Sequence, residues 1–210
     1  MQQRDRRTMM SCLVAGLLVG GAAIAVQGPL PGDVWVTRSL QAVLGPRPAW
    51  AEVMTQMAKM PAVLALVVLA CALAVVKGGR SVALLPCLAY PAALLIDFAL
   101  RRLVHVPRPG ADMVAIAKLA DGSGLPSTFA LVVGCVLGVV VTVQGRGTPV
   151  GKAITWIATA LIVTGCAARI VLGGHWLSQI AASLLWAFAF ALWLPSLRLA
   201  PARPAFRRPG

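Results

Sequence analysis

Ser127 to Gln144 reads STFALVVGCVLGVVVTVQ, and from Phe129 to Val141 it offers water nothing but Phe, Ala, Leu, Val, Cys and Gly. A helix that is apolar all round has no face to turn to solvent, so it belongs inside protein or lipid. Five further windows share this character: Met9 to Gln27, Pro61 to Val76, Ser81 to Leu100, Ala153 to Ile170 and Trp176 to Leu194. Each approaches the roughly 20 residues that cross a bilayer. The second is short and can be extended back through Met57. Glycine and proline within the windows (Gly20, Gly21, Pro86, Pro91, Gly134, Gly138) suit lipid, where small residues let helices approach closely.

Composition agrees. Of 210 residues 59% are hydrophobic and 12% charged, and mean hydropathy is +0.84, too little polar surface to cover a soluble globule. The expected fold is an all-α integral membrane bundle of six transmembrane helices, one membrane domain over residues 1–210. Residues 1–8 form a cytoplasmic N-terminus and residues 199–210 a basic cytoplasmic tail. Residues 28–60 carry four prolines with Trp35 and Trp50, the marks of an outer interfacial segment anchored by indole rings. A cleaved signal peptide is the rival reading of the first window, with Ala23-Ile24-Ala25 as cleavage site, but the apolar run exceeds the ~7–15 residues usual there.

The net charge of +13 sits between the apolar segments rather than along one helix face, which argues for anionic lipid and against nucleic acid. Six spans divide the connecting charges unequally. Arg4, Arg6, Arg7, Lys77, Arg80, Arg146, Lys152, Arg198, Arg203, Arg207 and Arg208 share one side with Asp5, a balance of +10, while eight bases and five acids on the other leave +3. The more basic side should be cytoplasmic. Cys12, Cys71, Cys87, Cys135 and Cys166 lie within apolar runs without metal-ligand spacing and read as small hydrophobes.

Three polar clusters fall on the outer face: Arg101 through Arg108-Pro109, Pro126-Ser127-Thr128, and Arg169 with His175. Ionisable groups at membrane depth are costly, and three guanidinium forks at helix ends that face one cavity describe a phosphate site. Taken singly, each has a plainer reading. Arg101 and Arg102 suit a snorkelling pair, Ser127 a helix N-cap, His175 an interfacial histidine, and Asp97 a partner for Arg101 one turn away.

In order and spacing, however, Arg101-x6-Arg108-Pro109, Pro126-Ser127-Thr128-Phe129 and Ala168-Arg169-x5-His175-x3-Gln179 resemble the K-x6-R-P, P-S-G-H and S-R-x5-H-x3-D motifs of the type 2 phosphatidic acid phosphatase superfamily. The resemblance spans residues 97–183. It implies a six-helix core with a phosphatase-like pocket at the outer membrane edge, phosphate held by Arg101, Arg108, Arg169, Ser127 and the Thr128 backbone N–H, and His175 as the nucleophile of a phosphohistidine intermediate. It implies no metal and no cofactor.

Three positions depart from the pattern. Phe129 stands where the family has the histidine that protonates the leaving group, Gln179 where it has the aspartate that orients the nucleophile, and Ala168 where it has serine. Gln179 is expected to orient the His175 ring through its carbonyl oxygen. His105 is the one other imidazole and a poor candidate for the missing acid. Without that acid, expulsion of an alkoxide suffers more than expulsion of a phosphate, whose second pKa is about 6. The expected function is therefore hydrolysis of a lipid phosphate or diphosphate, such as undecaprenyl diphosphate, at the periplasmic face of a bacterial inner membrane. The competing readings are a binder, scaffold or transporter that retains only the arginine cradle, and a phosphotransferase between lipids.

Overall fold

The computed structural model describes residues 3–145 and 147–197. Its helices are α1 Gln3–Val26, α2 Asp33–Leu44, α3 Ala49–Thr55, α4 Ala62–Gly78, α5 Leu85–Leu103, α6 Thr128–Thr142, α7 Pro149–Val171 and α8 Leu177–Trp193. Short 3-10 turns occupy Gln56–Ala58, Arg80–Val82 and Leu194–Leu197. Arg146 and the basic residues from Arg198 onward, with the expected tail over 199–210, lie outside the described residues.

The apolar stretch that follows Ser127 becomes α6, and every residue from Phe129 to Val140 is buried. It is the central post, packed by α4, α5, α7 and α8. Its glycines set the approach of α8: a Cβ on Gly134 would meet that of Ala187 at 2.8 Å, and one on Gly138 that of Ala191 at 3.1 Å. Small residues facing small residues bring the two backbones close. The outer helices instead turn large apolar side chains outward, among them Leu17, Leu18, Val68, Leu95 and Trp156. In water such a belt would be a large exposed apolar patch, and in a bilayer it is the lipid-facing surface.

The expected count of six is met only in part. Among the described residues four helical stretches are long and apolar enough to cross a membrane: Gln3–Val26, Arg80–Leu103, Pro149–Val171 and Leu177–Leu197. A fifth exists if Ala49–Ala58 and Ala62–Gly78 count as one span despite a 74° bend. The expected backward extension of the second window through Met57 fails at Pro61, which caps α4 and cannot continue a straight hydrogen-bonded helix. At 15 residues, α6 is about 22 Å long, short of the ~30 Å hydrocarbon core. Lys77 of α4 completes its end, with Nζ donating to the carbonyls of Val140 at 2.7 Å and Val141 at 2.8 Å. A cation on the last carbonyls of a helix offsets both orphan acceptors and the negative dipole end.

Charged connections separate to two ends. Gln144 donates to Asp5 near Lys77, while the C-termini of α5 and α7 meet the N-termini of α6 and α8 at the opposite end. There α2 and α3 lie against α7, and Trp35 is 73% exposed. The carboxylate of Asp33, buried at the start of α2, accepts from the Ser178 backbone N–H at 2.9 Å and its hydroxyl at 2.6 Å. It thereby caps α8 from another element, where a negative charge complements the helix dipole. α1 runs along α8, its Gly16 and Gly20 making room for Trp186.

Candidate functional site

At the end of α5, Arg101 spends most of its guanidinium on the protein. Nε donates to Asp97 Oδ2 at 3.0 Å, Nη1 to the Ser123 carbonyl at 2.9 Å, and Nη2 to the Pro126 carbonyl at 2.9 Å and to Thr128 Oγ1 at 2.8 Å. Thr128 Oγ1 in turn donates to Asp97 Oδ1 at 2.9 Å. Four of five N–H groups are thus committed, and Arg101 with Asp97 forms a strut that fixes the segment leading into α6. Asp97 takes the plain role expected of it, a helix-face partner of Arg101, and adds a bond to Thr128. Arg102 is exposed and lies over the Phe98 ring at 4.4 Å, a surface cation–π contact.

Ser127 is the N-cap of α6: its Oγ accepts from the Ala130 N–H, and its own N–H donates to Ser183 Oγ at 2.9 Å. Thr128 is the first helical residue, with a backbone N–H that no described residue accepts. Residues of all three motifs therefore converge at one end of the bundle.

His175 is 1% exposed and its tautomer follows from its neighbours. Nδ1 lies 2.8 Å from the Gly124 carbonyl, which can only accept, so Nδ1 carries the proton. Nε2 lies 3.1 Å from Arg108 Nη1, which can only donate, so Nε2 carries the lone pair. Arg108 Nη1 also donates to the Gly174 carbonyl at 3.0 Å and Nε to that of Gly122 at 3.3 Å, while Nη2 donates to no described residue.

The acceptor for the ring is thus a backbone carbonyl, where Gln179 was expected. Gln179 works one step behind: Oε1 accepts from the Trp176 N–H at 3.1 Å, Nε2 donates to the Pro107 carbonyl at 2.7 Å, and its amide packs so closely on Gly124 that a Cβ there would lie 2.5 Å from Nε2. The physical reason is competition. A side chain at the first turn of α8 satisfies that helix's own orphan N–H, and the remaining donor fits a carbonyl rather than an imidazole N–H. No sequence signal marks Gly124, because its backbone oxygen does the work.

Arg169 differs from the other two arginines. Its guanidinium makes no hydrogen bond to any described residue, and Nε is buried without a partner. It lies against Gly174, where a Cβ would sit 3.1 Å from Nη2. No carboxylate pairs with Arg108 or Arg169 among the described residues, since the ion pairs are Arg47–Glu52 and Arg101–Asp97. Burial, then Arg169 and Arg108, push the His175 imidazole well below its ordinary value, against a small opposing effect of the Gly124 carbonyl. Burial likewise lowers Arg108, with Arg101 adding to the effect and Asp97 opposing it.

Phe129 is 5% exposed and turned into the core, its ring filling the space beside Gly165, one turn of α7 below Arg169. His105 is exposed on the loop, and its carbonyl accepts from Gln27. The described residues hold no cluster of three or more His, Cys, Asp or Glu side chains suited to a metal ion.

A crystal structure of a transmembrane PAP2-type phosphatidylglycerolphosphate phosphatase from Bacillus subtilis has the same fold, with a TM-score of 0.69 over 90% of this chain and 94% of that one at 20% identity. No curated protein sequence matches. The sequence pattern of the PAP2 superfamily matches residues 82–201, more than half of the chain and all three motif segments. The chain belongs to the PAP2 superfamily.

Proposed function

We propose that this protein is a membrane lipid phosphatase that cleaves a lipid diphosphate, such as undecaprenyl diphosphate, through a phosphohistidine intermediate. The observation that carries the reading is the pair Arg108 and Arg169, two cations that no described carboxylate pairs with, beside a neutral imidazole whose Nε2 lone pair faces Arg108. A buried donor without a partner costs about 1–3 kcal/mol, and more when charged. An anion that enters the site removes that cost.

In the reaction, Arg108 Nη1 redirects its hydrogen bond from His175 Nε2 to a phosphoryl oxygen, Arg169 donates to a second oxygen, and the backbone N–H of Thr128 with the Ser127 hydroxyl donates to a third. Arg101 adds its charge and one remaining Nη1–H. Nε2 attacks the terminal phosphorus, the bridging P–O bond breaks, and its electron pair leaves on the lipid monophosphate. Water then attacks the phosphoryl group, the N–P bond breaks toward Nε2, and phosphate departs with the water's oxygen. The Gly124 carbonyl holds Nδ1–H throughout, and Gln179 holds Gly124. Phe129 leaves the leaving group without a proton donor, which a lipid monophosphate tolerates better than an alkoxide.

The site belongs at the outer leaflet, with the more basic end of six membrane-crossing segments in the cytoplasm of a bacterial inner membrane, as the charge asymmetry favours. Phosphate release by purified protein from matched lipid monophosphates and diphosphates tests the proposal. Release from the diphosphate, lost in His175→Ala, is the expected result. Binding of phosphate without turnover by any lipid would favour the alternative, a lipid-phosphate binder built on the same cradle, which the loss of the proton-transfer residues at 129 and 179 makes the strongest rival.

A further inference from the structure

A cleft next to the His175 cradle is lined by Arg108, Ile116, Lys118, Leu119, Gly173 and Gly174 among others, and no acid lines it. Lys118 makes no hydrogen bond or ion pair to a described residue, and Arg108 is shared between cleft and cradle: Nη1 serves His175 and Gly174, while Nη2 donates to no described residue. One guanidinium thus has one occupied edge at the reacting centre and one free donor at an adjoining basic cleft. Two like charges line the cleft with no described carboxylate paired to either, and a second anion would offset them.

The segment that carries Lys118 is held in place. Arg38 Nε donates to the Met113 carbonyl at 2.8 Å, Gln41 Nε2 to those of Ala115 at 2.8 Å and Val171 at 2.9 Å, and the Ala117 N–H to the Leu172 carbonyl at 3.1 Å. Gly173, at φ +65°, allows the closest approach, since a Cβ there would lie 2.3 Å from the Ala115 carbonyl. Lys118 follows directly on the residue tied to Leu172, so its backbone is anchored to the loop that presents His175. Leu119 beside it is 81% exposed, as suits a rim in contact with lipid.

We infer that Lys118 and the free edge of Arg108 form a second phosphate subsite, which binds the lipid-attached phosphate of a diphosphate while the terminal phosphate lies at His175. This rests on the phosphatase reading above and adds to it the means of leaving-group stabilisation. As the bridging P–O bond breaks, the negative charge that would otherwise need a proton grows on an oxygen between two cations. The subsite therefore performs electrostatically part of what the absent acid at Phe129 would perform by proton transfer.

The test compares Lys118→Met, which keeps most of the aliphatic stem, with Lys118→Arg and the unmodified protein, all in the same lipid nanodiscs. Two ratios are read: kcat/KM for a lipid diphosphate over the matching lipid monophosphate, and affinity for inorganic pyrophosphate over orthophosphate. Lys118→Met should lower both ratios by about ten- to hundredfold, the scale of one charge-assisted hydrogen bond, and Lys118→Arg should restore most of each. Unchanged ratios in Lys118→Met would overturn the subsite. If the unmodified protein hydrolyses no lipid, the phosphatase reading falls and the affinity ratio alone decides: a drop in Lys118→Met sustains a two-anion site in a binder, and no drop overturns it. A drop with pyrophosphate but not with the lipid diphosphate would overturn the lipid assignment and leave a site for free diphosphate.

Discussion

Replacing Arg169 with methionine should weaken phosphate binding and stabilise the empty protein together. The side chain keeps an unbranched apolar stem and loses a guanidinium that no described residue satisfies. In the loaded site, a hydrogen bond from a charged donor contributes about 1.5–3 kcal/mol, so Kd for orthophosphate should rise by about 10- to 150-fold. In the empty site, removal of one buried unpartnered donor recovers about 1–3 kcal/mol. For a chain of this size each kcal/mol moves the unfolding midpoint by roughly 2–4 °C. Titration calorimetry in detergent and thermal unfolding with and without phosphate give both numbers. The expected pattern is a crossing: the variant melts higher without phosphate and gains less from its addition. Unchanged phosphate affinity would refute the shared cradle, and a lower melting point without ligand would mean that Arg169 has a structural partner and carries no unpaid cost.

Three further outcomes follow from the same geometry. Because burial and two arginines lower the His175 pKa, the imidazole should remain neutral as pH falls through the usual histidine value of about 6.5; nitrogen NMR of a His105→Ala background at pH 6 should show Nδ1 protonated and Nε2 bare, and an imidazolium pattern would contradict the assigned tautomer. Asp97→Asn should cost about 1–3 kcal/mol by leaving the partly buried Arg101 without its counter-charge, read as a lower unfolding midpoint together with a lower kcat as the start of α6 loosens; an unchanged midpoint would remove the strut. Phe129→His should destabilise the core beside Gly165, since an imidazole there loses apolar burial, yet raise hydrolysis of monophosphate esters more than that of diphosphates, with an equal gain on both refuting the leaving-group argument.

What the sequence made legible was whatever the charge and apolar pattern alone determines. The apolar windows map onto α1 and α4 to α8, and Ser127 is the N-cap that its position suggested. The three motifs share one end of the bundle because the first two flank the α5–α6 connection and α6 and α7 together return the chain to the same end for the third. The count of spans was less legible, since hydropathy reports burial from water and cannot distinguish lipid from protein: α6 has the most apolar sequence, yet it is short and buried among other helices. Part of what holds Arg101 and His175 was hidden for a different reason. Asp97 was in view as the partner of Arg101, but the carbonyls of Ser123, Gly124 and Pro126 were not, because a backbone oxygen has no letter of its own. Gln179 illustrates the limit: its place after His175 suggested direct contact, while the first turn of α8 claims its side chain.

The substitutions at 129 and 179 remove proton chemistry from the site, but its charge balance favours a dianion. Burial, and after it the positive charges of Arg169 and Arg108, disfavour protonation of His175 and leave its Nε2 lone pair available. A terminal phosphoryl group brings close to two negative charges and cancels that field. On the proposed mechanism the cationic phosphoimidazole would form next to its own phosphoryl oxygens, within reach of the Gly124 carbonyl dipole. A full carboxylate at 179 would stabilise that cation more, and would also partly neutralise the arginines before substrate arrives. On the proposed mechanism Gln179 would leave the cradle its full positive charge for the ligand and give up rate in exchange for affinity. On this reasoning Gln179→Asp should raise kcat while it raises the orthophosphate Kd, and a gain in both rate and affinity would show that the carboxylate never competes with the bound anion.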